Sequence, residues 1–137
     1  MKKKKERFID LVDGFIFDSI TKLLWHLNTE SMKWNEGLEY ANNLKDYGLK
    51  WRVPAIRDLI NIINYKNDAP ASKLPYMSSS FYWSSSTHVT TSDYAWLVNF
   101  YYGNVGAYNK TNAYSVRCVS GPFKSSKECK SIILKKR

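Results

Sequence analysis

The sequence predicts an α+β domain, with two helices packed on a twisted antiparallel sheet and strands at both ends of the chain. Three features of the 137 residues predict it. Short apolar segments separated by turn residues open the chain, two segments with helical spacing follow, and an alternating apolar pattern returns towards the end. Aromatic residues make up 15% of the chain, so we expect an aromatic-rich core. At this length a single domain is expected.

The chain opens with a predicted hairpin. The apolar segments Phe8–Val12 and Phe15–Phe17 flank Asp13-Gly14, a dipeptide typical of two-residue hairpin turns. A second turn is predicted at 18–21, and another short strand at 23–25.

Two helices are predicted in the middle of the chain. Ser31 is expected to cap the first, which ends near Gly48. Pro54 suits the first turn of the second helix, and 67–80 are expected to form a loop. The predicted inward residues are Trp34, Leu38, Ala41 and Leu44 in the first helix and Ile56, Leu59, Ile60 and Ile63 in the second.

The segment from 81 to about 119 alternates like antiparallel strands. Predicted turns lie at 92–93, 103–104 and 109–112. If the apolar residues of one strand point inward, then Asn99 and Tyr101 between them face solvent. The residues expected to be buried are Trp83, Trp96, Val98, Phe100, Val116 and Cys118.

The net charge of +9 comes from the two ends of the chain. Residues 1–7 carry five basic and one acidic side chain, and residues 122–137 carry six and one. Ten of each remain in 8–121, so the body is neutral. A nucleic-acid-binding domain carries its basic stripe on the folded surface, so no specific nucleic-acid binding is expected.

The charge distribution also suggests the domain boundaries. We expect a basic tail at 1–6, the folded domain at 7–121 and a second basic tail at 122–137. Such ends are typically solvated, and any polyanion would bind there. Deleting 1–6 and 124–137 is therefore expected to leave the fold intact.

The two cysteines are too few for a disulfide scaffold or a four-ligand zinc site. Cys118 alternates with Val116, which predicts a buried thiol, whereas Cys129 lies in the basic tail and is expected to be exposed. A Cys118–Cys129 bridge stays open as an alternative. No apolar run reaches the ~18 residues of a membrane span, and no signal sequence follows the N-terminal lysines, so a soluble chain without membrane contact is expected.

Six motifs then occur in a familiar order, over roughly residues 7–120. They are DG (13–14) with DSITKLLW (18–25), W34 with YANNL (40–44), WRVP (51–54) with DL (58–59), YWSSS (82–86), AWLVNF (95–100) and VRCV (116–119). The series resembles the C-terminal domain of the Legionella collagen-like adhesin and its relatives. That family belongs to the C-type-lectin-like superfamily, with formylglycine-generating enzymes and the variable proteins of diversity-generating retroelements. The resemblance implies a C-type-lectin-like fold.

Departures from the family pattern narrow the function. Many relatives carry a cysteine at position 41 that can pair with the one in VRCV; here Ala41 supports a reduced Cys118. This favours a cytoplasmic or virion-associated setting, with surface display possible within a larger assembly. Asp93 is the single carboxylate between 75 and 121, so a calcium site there lacks ligands, and no metal or cofactor is predicted.

No enzymatic constellation emerges from the sequence. Cys118 and Cys129 are too far apart to match the close cysteine pair of the formylglycine-generating enzymes. His26 and His88 are isolated, without a spacing that suggests a triad or a metal site. The chain is therefore predicted to be a binding domain and not an enzyme.

The C-terminal part has the composition of a binding surface. Residues 76–120 hold seven of the ten tyrosines, together with many asparagines and serines, as in antibody paratopes. A protein or glycan ligand is expected to contact one contiguous exposed surface. Its predicted residues are Asn99, Tyr101, Tyr102, Asn104, Tyr108, Asn109 and Asn112. The alternative is an ordinary loop rich in turn formers, which explains the asparagines better than the tyrosines.

Two classes of binding protein remain open. In retroelement variable proteins, adenine-directed mutagenesis changes asparagine-type codons into those of Asn, Tyr, Ser and Asp, which suits this composition. The other class is an adhesin that engages sulfated polysaccharides, as the named relative implies. That function requires a basic patch on the body, and only Lys110 and Arg117 are basic between 75 and 121. Ligand identity and oligomeric state are left open by the sequence.

Overall fold

A computed structural model describes residues 6–136, which form ten strands and three helices. The strands are β1 (Phe8–Val12), β2 (Phe15–Asp18), β3 (Leu24–Trp25), β4 (Glu30–Lys33), β5 (Trp51–Arg52), β6 (Phe81–Thr87), β7 (Tyr94–Asn99), β8 (Asn104–Asn109), β9 (Ala113–Val116) and β10 (Val119–Ser120). The helices are α1 (Trp34–Asn43), α2 (Ile56–Asn61) and α3 (Ser126–Lys135), with a 3-10 turn at Asp46–Gly48.

The strands form two five-stranded sheets. The first sheet has the order β1-β2-β3-β10-β5 and is antiparallel throughout. The second sheet has the order β4-β9-β6-β7-β8, and within it β6 and β9 run parallel. The α+β prediction is confirmed, and the architecture is consistent with a C-type-lectin-like fold. The structure has two sheets and three helices where the sequence predicted one sheet and two helices.

The N-terminal hairpin has the predicted turn. Val12 pairs with Phe15, so the connection has two residues, Asp13 and Gly14. Both have positive φ angles, 50° and 86°, as a type I′ turn requires. Glycine supplies this conformation without strain, which is why the dipeptide is a reliable signal.

The predicted cap of the first helix is wrong. Ser31 lies in β4, where it pairs with Ser115 of β9, and the chain stays extended until Lys33. The helix begins at Trp34, and the Glu36 carboxylate accepts a hydrogen bond from the Lys33 N–H at 2.9 Å. The first helix therefore starts only after the last residue of β4 that pairs with β9.

The second helix is shorter than its apolar pattern suggested. It begins at Ile56, so Pro54 lies just before it and not in its first turn. Leu59 and Ile63 are buried as predicted, but Ile60 is 39% exposed. Ile62 is buried instead, because the chain leaves the helix there and the helical spacing no longer applies.

The core consists of two clusters that meet at β7. Leu97 belongs to the cluster that includes Trp34 and Cys118, and Val98 belongs to the cluster that includes Leu59. Both β7 residues are fully buried although they point to opposite faces, so this strand is covered on both sides. Burial is confirmed for Trp83, Val98, Phe100, Val116 and Cys118.

Trp96 is the exception, and its predicted burial is wrong. The residue is only partly buried, and its ring lies 4.9 Å from the His88 ring. Simple alternation assumes that a strand face is buried along its whole length. The β7 face that buries Val98 is instead only partly covered at Trp96 and is exposed at Tyr94. Trp96 is thus a surface aromatic residue and not a core anchor.

The segment expected to be a solvated C-terminal tail contains α3. The Ser125 hydroxyl caps this helix by accepting the Glu128 N–H at 3.1 Å. Cys129 and Ile133, one helical turn apart, are fully buried in the core cluster that contains Trp34. The predicted exposure of Cys129 is therefore wrong, and removal of 124–137 would take away part of the core.

Both cysteines are buried and free. Burial raises the pKa of each thiol to about 12, so neither is a reactive thiolate at neutral pH. Most of the predicted N-terminal tail, 1–6, lies outside the described residues. Within the described residues, no helix is long and apolar enough to cross a membrane.

A candidate binding face

Three aromatic side chains of the second sheet form a cluster on one of its faces. The ring centroid of Phe81 lies 5.5 Å from that of Tyr108 and 5.2 Å from that of Tyr114, and the two tyrosine rings are 5.8 Å apart. Strand pairing places Phe81 opposite Asn99, and Asn99 opposite Asn104. Directly paired residues share a face of the sheet, so these five residues belong together. We call them the aromatic face.

The aromatic face is supported by a buried tryptophan. Trp83 lies 5.0 Å from Tyr114 in an edge-to-face arrangement, and its indole N–H donates to the Met32 carbonyl at 3.2 Å. Beside it, α1 packs on β4, β6 and β9, and the Trp34 indole N–H donates to the Ser84 carbonyl at 2.8 Å. The helix covers one part of the sheet face, and the aromatic cluster lies on a part that is still accessible.

Gly106 allows the Tyr108 ring to lie against its own strand. A Cβ atom at Gly106 would come within 2.9 Å of that ring, closer than real contacts allow. Tyr108 is still 39% exposed in this position. Glycine at position 106 therefore lets the Tyr108 ring lie close to its own strand while it stays accessible.

The aromatic face carries no formal charge. Burial, with a smaller contribution from Tyr108, raises the pKa of the Tyr114 phenol, so this group stays neutral at physiological pH. The nearby cation Lys110 lies 4.0 Å above the Trp34 ring in a cation–π contact. Recognition here would depend on aromatic contact and neutral hydrogen bonds.

A second group of tyrosines lies at the turn between β7 and β8. Tyr101 and Tyr102 are 45% and 69% exposed, and their ring centroids are 6.1 Å apart. The Asn99 side-chain oxygen accepts the Tyr101 N–H at 2.9 Å and so shapes the turn. Tyr65, 72% exposed, lies against Gly103 of the same turn. We call Tyr65, Tyr101 and Tyr102 the tyrosine turn.

The structure does not place all seven predicted site residues on one surface. Asn99, Asn104 and Tyr108 share the aromatic face, and Tyr101 and Tyr102 lie in the turn that follows this end of β7. Asn109 points to the opposite face of β8 from Tyr108, because neighbouring strand residues alternate. Its side-chain oxygen accepts the Thr111 N–H at 3.0 Å. Asn112 is exposed in the turn before β9.

The asparagines divide into two kinds. Asn99 and Asn109 use their side-chain oxygens to cap turns, as the alternative of turn-forming residues predicts. Asn104 is exposed on the aromatic face. The sequence missed Phe81 and Tyr114, because their partners on neighbouring strands depend on a register that one sequence does not reveal.

A groove of about 710 Å³ lies between α1 and the β5–β10 edge of the first sheet. Three cationic side chains line it: Lys45, Lys50 and Arg52, the last also bonded to Asp58 at 3.0 Å. Apolar side chains, among them Leu49 and Trp51, complete the lining, and no carboxylate contributes within the described residues. We call this the basic groove. The net charge of the sequence did not predict this groove, because its three cations belong to residues 8–121, which are neutral overall.

Arg117 is not available to a ligand. It is fully buried, and its guanidinium donates to the carbonyls of His26 at 2.6 Å and Pro75 at 2.9 Å. Desolvation by burial lowers its pKa to about 10, so it stays protonated at neutral pH. Arg117 therefore ties the β9–β10 connection to two loops.

His26 is not isolated, contrary to the prediction. Its Nε2 lies 2.6 Å from the Asp46 carboxylate, and its Nδ1 accepts the Asn28 N–H at 3.0 Å, so Nε2 carries the proton. Phe15 and Trp51 pack edge-on against the ring. Within residues 6–136 no group of three or more His, Cys, Asp or Glu side chains is placed to hold a metal ion.

The α+β architecture of two five-stranded sheets and three helices is consistent with a C-type-lectin-like domain. Residues 14–120 match the family model of the Lcl C-terminal domain, which is more than half of the chain. The protein belongs to this family, and the family suggests a non-enzymatic, adhesin-like domain. No curated protein matched the chain.

Proposed function

We propose that this domain is a non-enzymatic display module that binds its ligand through the aromatic face, with the tyrosine turn at the margin. The observation that carries the proposal is the cluster of Phe81, Tyr108 and Tyr114 on a sheet supported by Trp83. Rigid aromatic side chains give large contact area at low entropic cost and dominate binding energetics. An uncharged aromatic surface suits a protein ligand or the apolar face of a sugar ring.

The test compares two tyrosines of matched exposure on opposite faces of the second sheet. Tyr108 is 39% and Tyr94 is 38% exposed, and Tyr94 pairs with Asn109 on the other face. On an array of neutral glycans, Tyr108→Ser should reduce binding by about tenfold or more, as for a hot-spot aromatic residue. Tyr94→Ser should change it little. Equal effects of the two variants, or full binding by Tyr108→Ser, would contradict the proposal.

Within this function we favour a variable protein diversified by a retroelement. Tyr101, Tyr102, Asn104 and Tyr108 are exposed, so substitutions there cost little stability. Sibling genes should vary at these four positions but retain Asn99, whose side chain shapes the turn. Sequencing siblings and searching the locus for a template repeat beside a reverse transcriptase tests this. A uniform gene across many isolates, without such a repeat, would be the contrary result.

A second candidate function is the binding of a sulfated polysaccharide in the basic groove. Lys45, Lys50 and Arg52 line the groove. Arg52 is paired with Asp58, but no carboxylate among the lining residues opposes the two lysines, which supports attraction of a polyanion. From charge alone, polyanion binding was expected at the basic ends of the chain. The groove offers a site for it on the folded body.

The groove can be tested by heparin chromatography. The double variant Lys45→Ala/Lys50→Ala should elute at clearly lower salt than the wild type, because two groove cations are lost. Lys127→Ala/Lys130→Ala removes the same charge from the exposed side of α3 and serves as the control. A larger shift for the α3 control would mean that the C-terminal helix holds the polyanion.

A further inference from the structure

Three of the four sheet edges are protected against pairing with another chain. A register irregularity interrupts β1 between Asp10 and Val12, and α3 packs against that strand. At the other edge of the first sheet, β5 has only two residues. In the second sheet, the edge strand β4 carries the exposed charges of Glu30 and Lys33. Bulges, covering helices, short strands and charges are the usual means of blocking edge-to-edge association.

The fourth edge, β8, has none of these features. It has six residues, Asn104–Asn109, and pairs with β7 at every position without irregularity. It contains neither a charged residue nor a proline, and Val105 is 41% exposed. Within residues 6–136, β7 is its only strand partner. A long, regular and uncharged edge is a template for another strand.

The backbone of β8 presents hydrogen-bonding groups outward at alternate residues. The Lys110 N–H donates to the Asp93 carbonyl at 2.9 Å, in the register that continues the β7–β8 pairing. The antiparallel pattern then directs the backbone groups of Tyr108 and Gly106 towards β7 and those of Ala107 and Val105 away from it. A partner strand would find donors and acceptors at these two residues.

We propose that β8 pairs antiparallel with β8 of a second copy of this chain, about a two-fold axis through Gly106. The smallest residue then lies opposite itself on the axis, and Val105 lies opposite Ala107 of the second copy. A second copy suits this edge because the strand is neutral, so like charges do not oppose each other across the axis. An isologous two-fold contact also closes on itself and uses up both open edges.

The pairing has a consequence for ligand binding. It joins the two second sheets into one of ten strands, and an axis perpendicular to the sheet keeps both aromatic faces on the same side. Two faces on one side allow bivalent attachment to a surface with repeated ligands. This consequence depends on the proposed function, whereas the pairing itself does not.

The experiment measures the sedimentation equilibrium of the full chain over about a hundredfold range of concentration, since dimer formation follows mass action. The wild type should dimerise at the upper end, whereas Val105→Lys and Val105→Glu should stay monomeric. Residues 105 of the two copies are diagonal neighbours at roughly 7–8 Å, so like charges there repel. Mixing the two variants should restore a dimer. Val89→Lys, at a 94% exposed loop position, should dimerise like the wild type.

Two further measurements distinguish loss of the β8 pairing from unfolding and from loss of ligand binding. The amides of Val105 and Ala107 should exchange slowly in the dimer and fast in Val105→Lys. At a concentration low enough for both variants to be monomeric, the melting temperature of Val105→Lys should match that of Val89→Lys. Val105 lies on the opposite face of β8 from Tyr108, so single-site glycan binding should survive in the monomeric variant. A wild type that stays monomeric at the highest concentration, or a dimer in Val105→Lys, would overturn the pairing. Loss of glycan binding in Tyr108→Ser leaves it unaffected.

Discussion

The two sheets of this domain differ in how their edge strands are protected and in which side chains they expose. The first sheet buries polar side chains with partners: Asp18 is bonded to Arg7, and the Ser120 hydroxyl donates to the Lys50 carbonyl at 2.7 Å. Its edges are bulged, covered or short. The second sheet also buries a hydrogen-bonded polar side chain, that of Ser84, but it exposes neutral aromatic rings and a regular edge strand. If the proposed function is correct, the second sheet presents the aromatic face to the ligand and the first sheet mainly supports it.

The two candidate ligand surfaces follow the same division. The basic groove lies at the β5–β10 edge of the first sheet and offers cations, whereas the aromatic face lies on the second sheet and offers none. Binding to the groove should therefore weaken steeply with salt, and binding to the aromatic face should not. Because the residues do not overlap, substitutions in one surface leave the other intact.

The largest expected effect tests the support beneath the aromatic face. Trp83 is 1% exposed, and Trp83→Ala should cost about 3–5 kcal/mol through the cavity it leaves. Trp96→Ala should cost about 1 kcal/mol, because Trp96 is partly exposed and its ring lies against the His88 ring. Urea unfolding of both variants provides the measurement. If Trp96→Ala were the more costly, the assignment of inner and outer residues on β6 and β7 would be reversed.

Much of the fold could be predicted because local signals agreed with the tertiary context. The Asp13-Gly14 dipeptide determines its turn through its own backbone preferences. Val116 and Cys118 are buried as alternation predicts, although Arg117 between them is buried as well. Ser31 suits both a helix cap and a strand. Its strand pairs with β9, and this pairing determines which of the two structures forms.

Two burial predictions, for Trp96 and Cys129, are wrong because burial depends on which segments pack against a strand or a helix. The predicted burial of Trp96 is wrong because the face that it shares with Val98 is not covered along the whole of β7, which alternation in one sequence cannot reveal. Cys129 was misplaced because lysines dominate the composition of its segment, although Cys129 and Ile133 lie one helical turn apart. That spacing was the available signal for α3.

The candidate site was predicted in part. Tyr108 was identified from composition, but Phe81 and Tyr114 join it only through the register of four strands. The cations of the basic groove are close in sequence, and still the groove needs β10 and its following residues to form its other side. Sites assembled from distant segments are beyond what spacing along one chain can show.

A smaller expected effect concerns the pH dependence of stability, to which a buried carboxylate of the first sheet should contribute. Asp18 is fully buried, and its carboxylate accepts two hydrogen bonds from the Arg7 guanidinium, at 2.9 and 2.8 Å. Burial alone would raise the pKa of this carboxyl group, but the bonds from Arg7 and the Ile20 N–H outweigh it and hold the pKa below its ordinary value. The charged form therefore stabilises the folded state above the unfolded pKa of about 4, and this contribution is lost as the pH falls through the folded pKa.

Asp18→Asn should accordingly cost about 1.5–3 kcal/mol at neutral pH, the usual contribution of hydrogen bonds to a charged group. Below about pH 4 the difference from the wild type should shrink, because the wild type then loses its charge as well. Asp93→Asn, at an exposed carboxylate next to the second sheet, is the control and should change stability by less than about 0.5 kcal/mol. Urea unfolding of the three proteins from pH 2 to neutral, about the titration range of carboxyl groups, measures both effects. A constant difference between Asp18→Asn and the wild type across that range would show that the first sheet does not depend on the Asp18 charge, and this part of the contrast between the sheets would then be wrong.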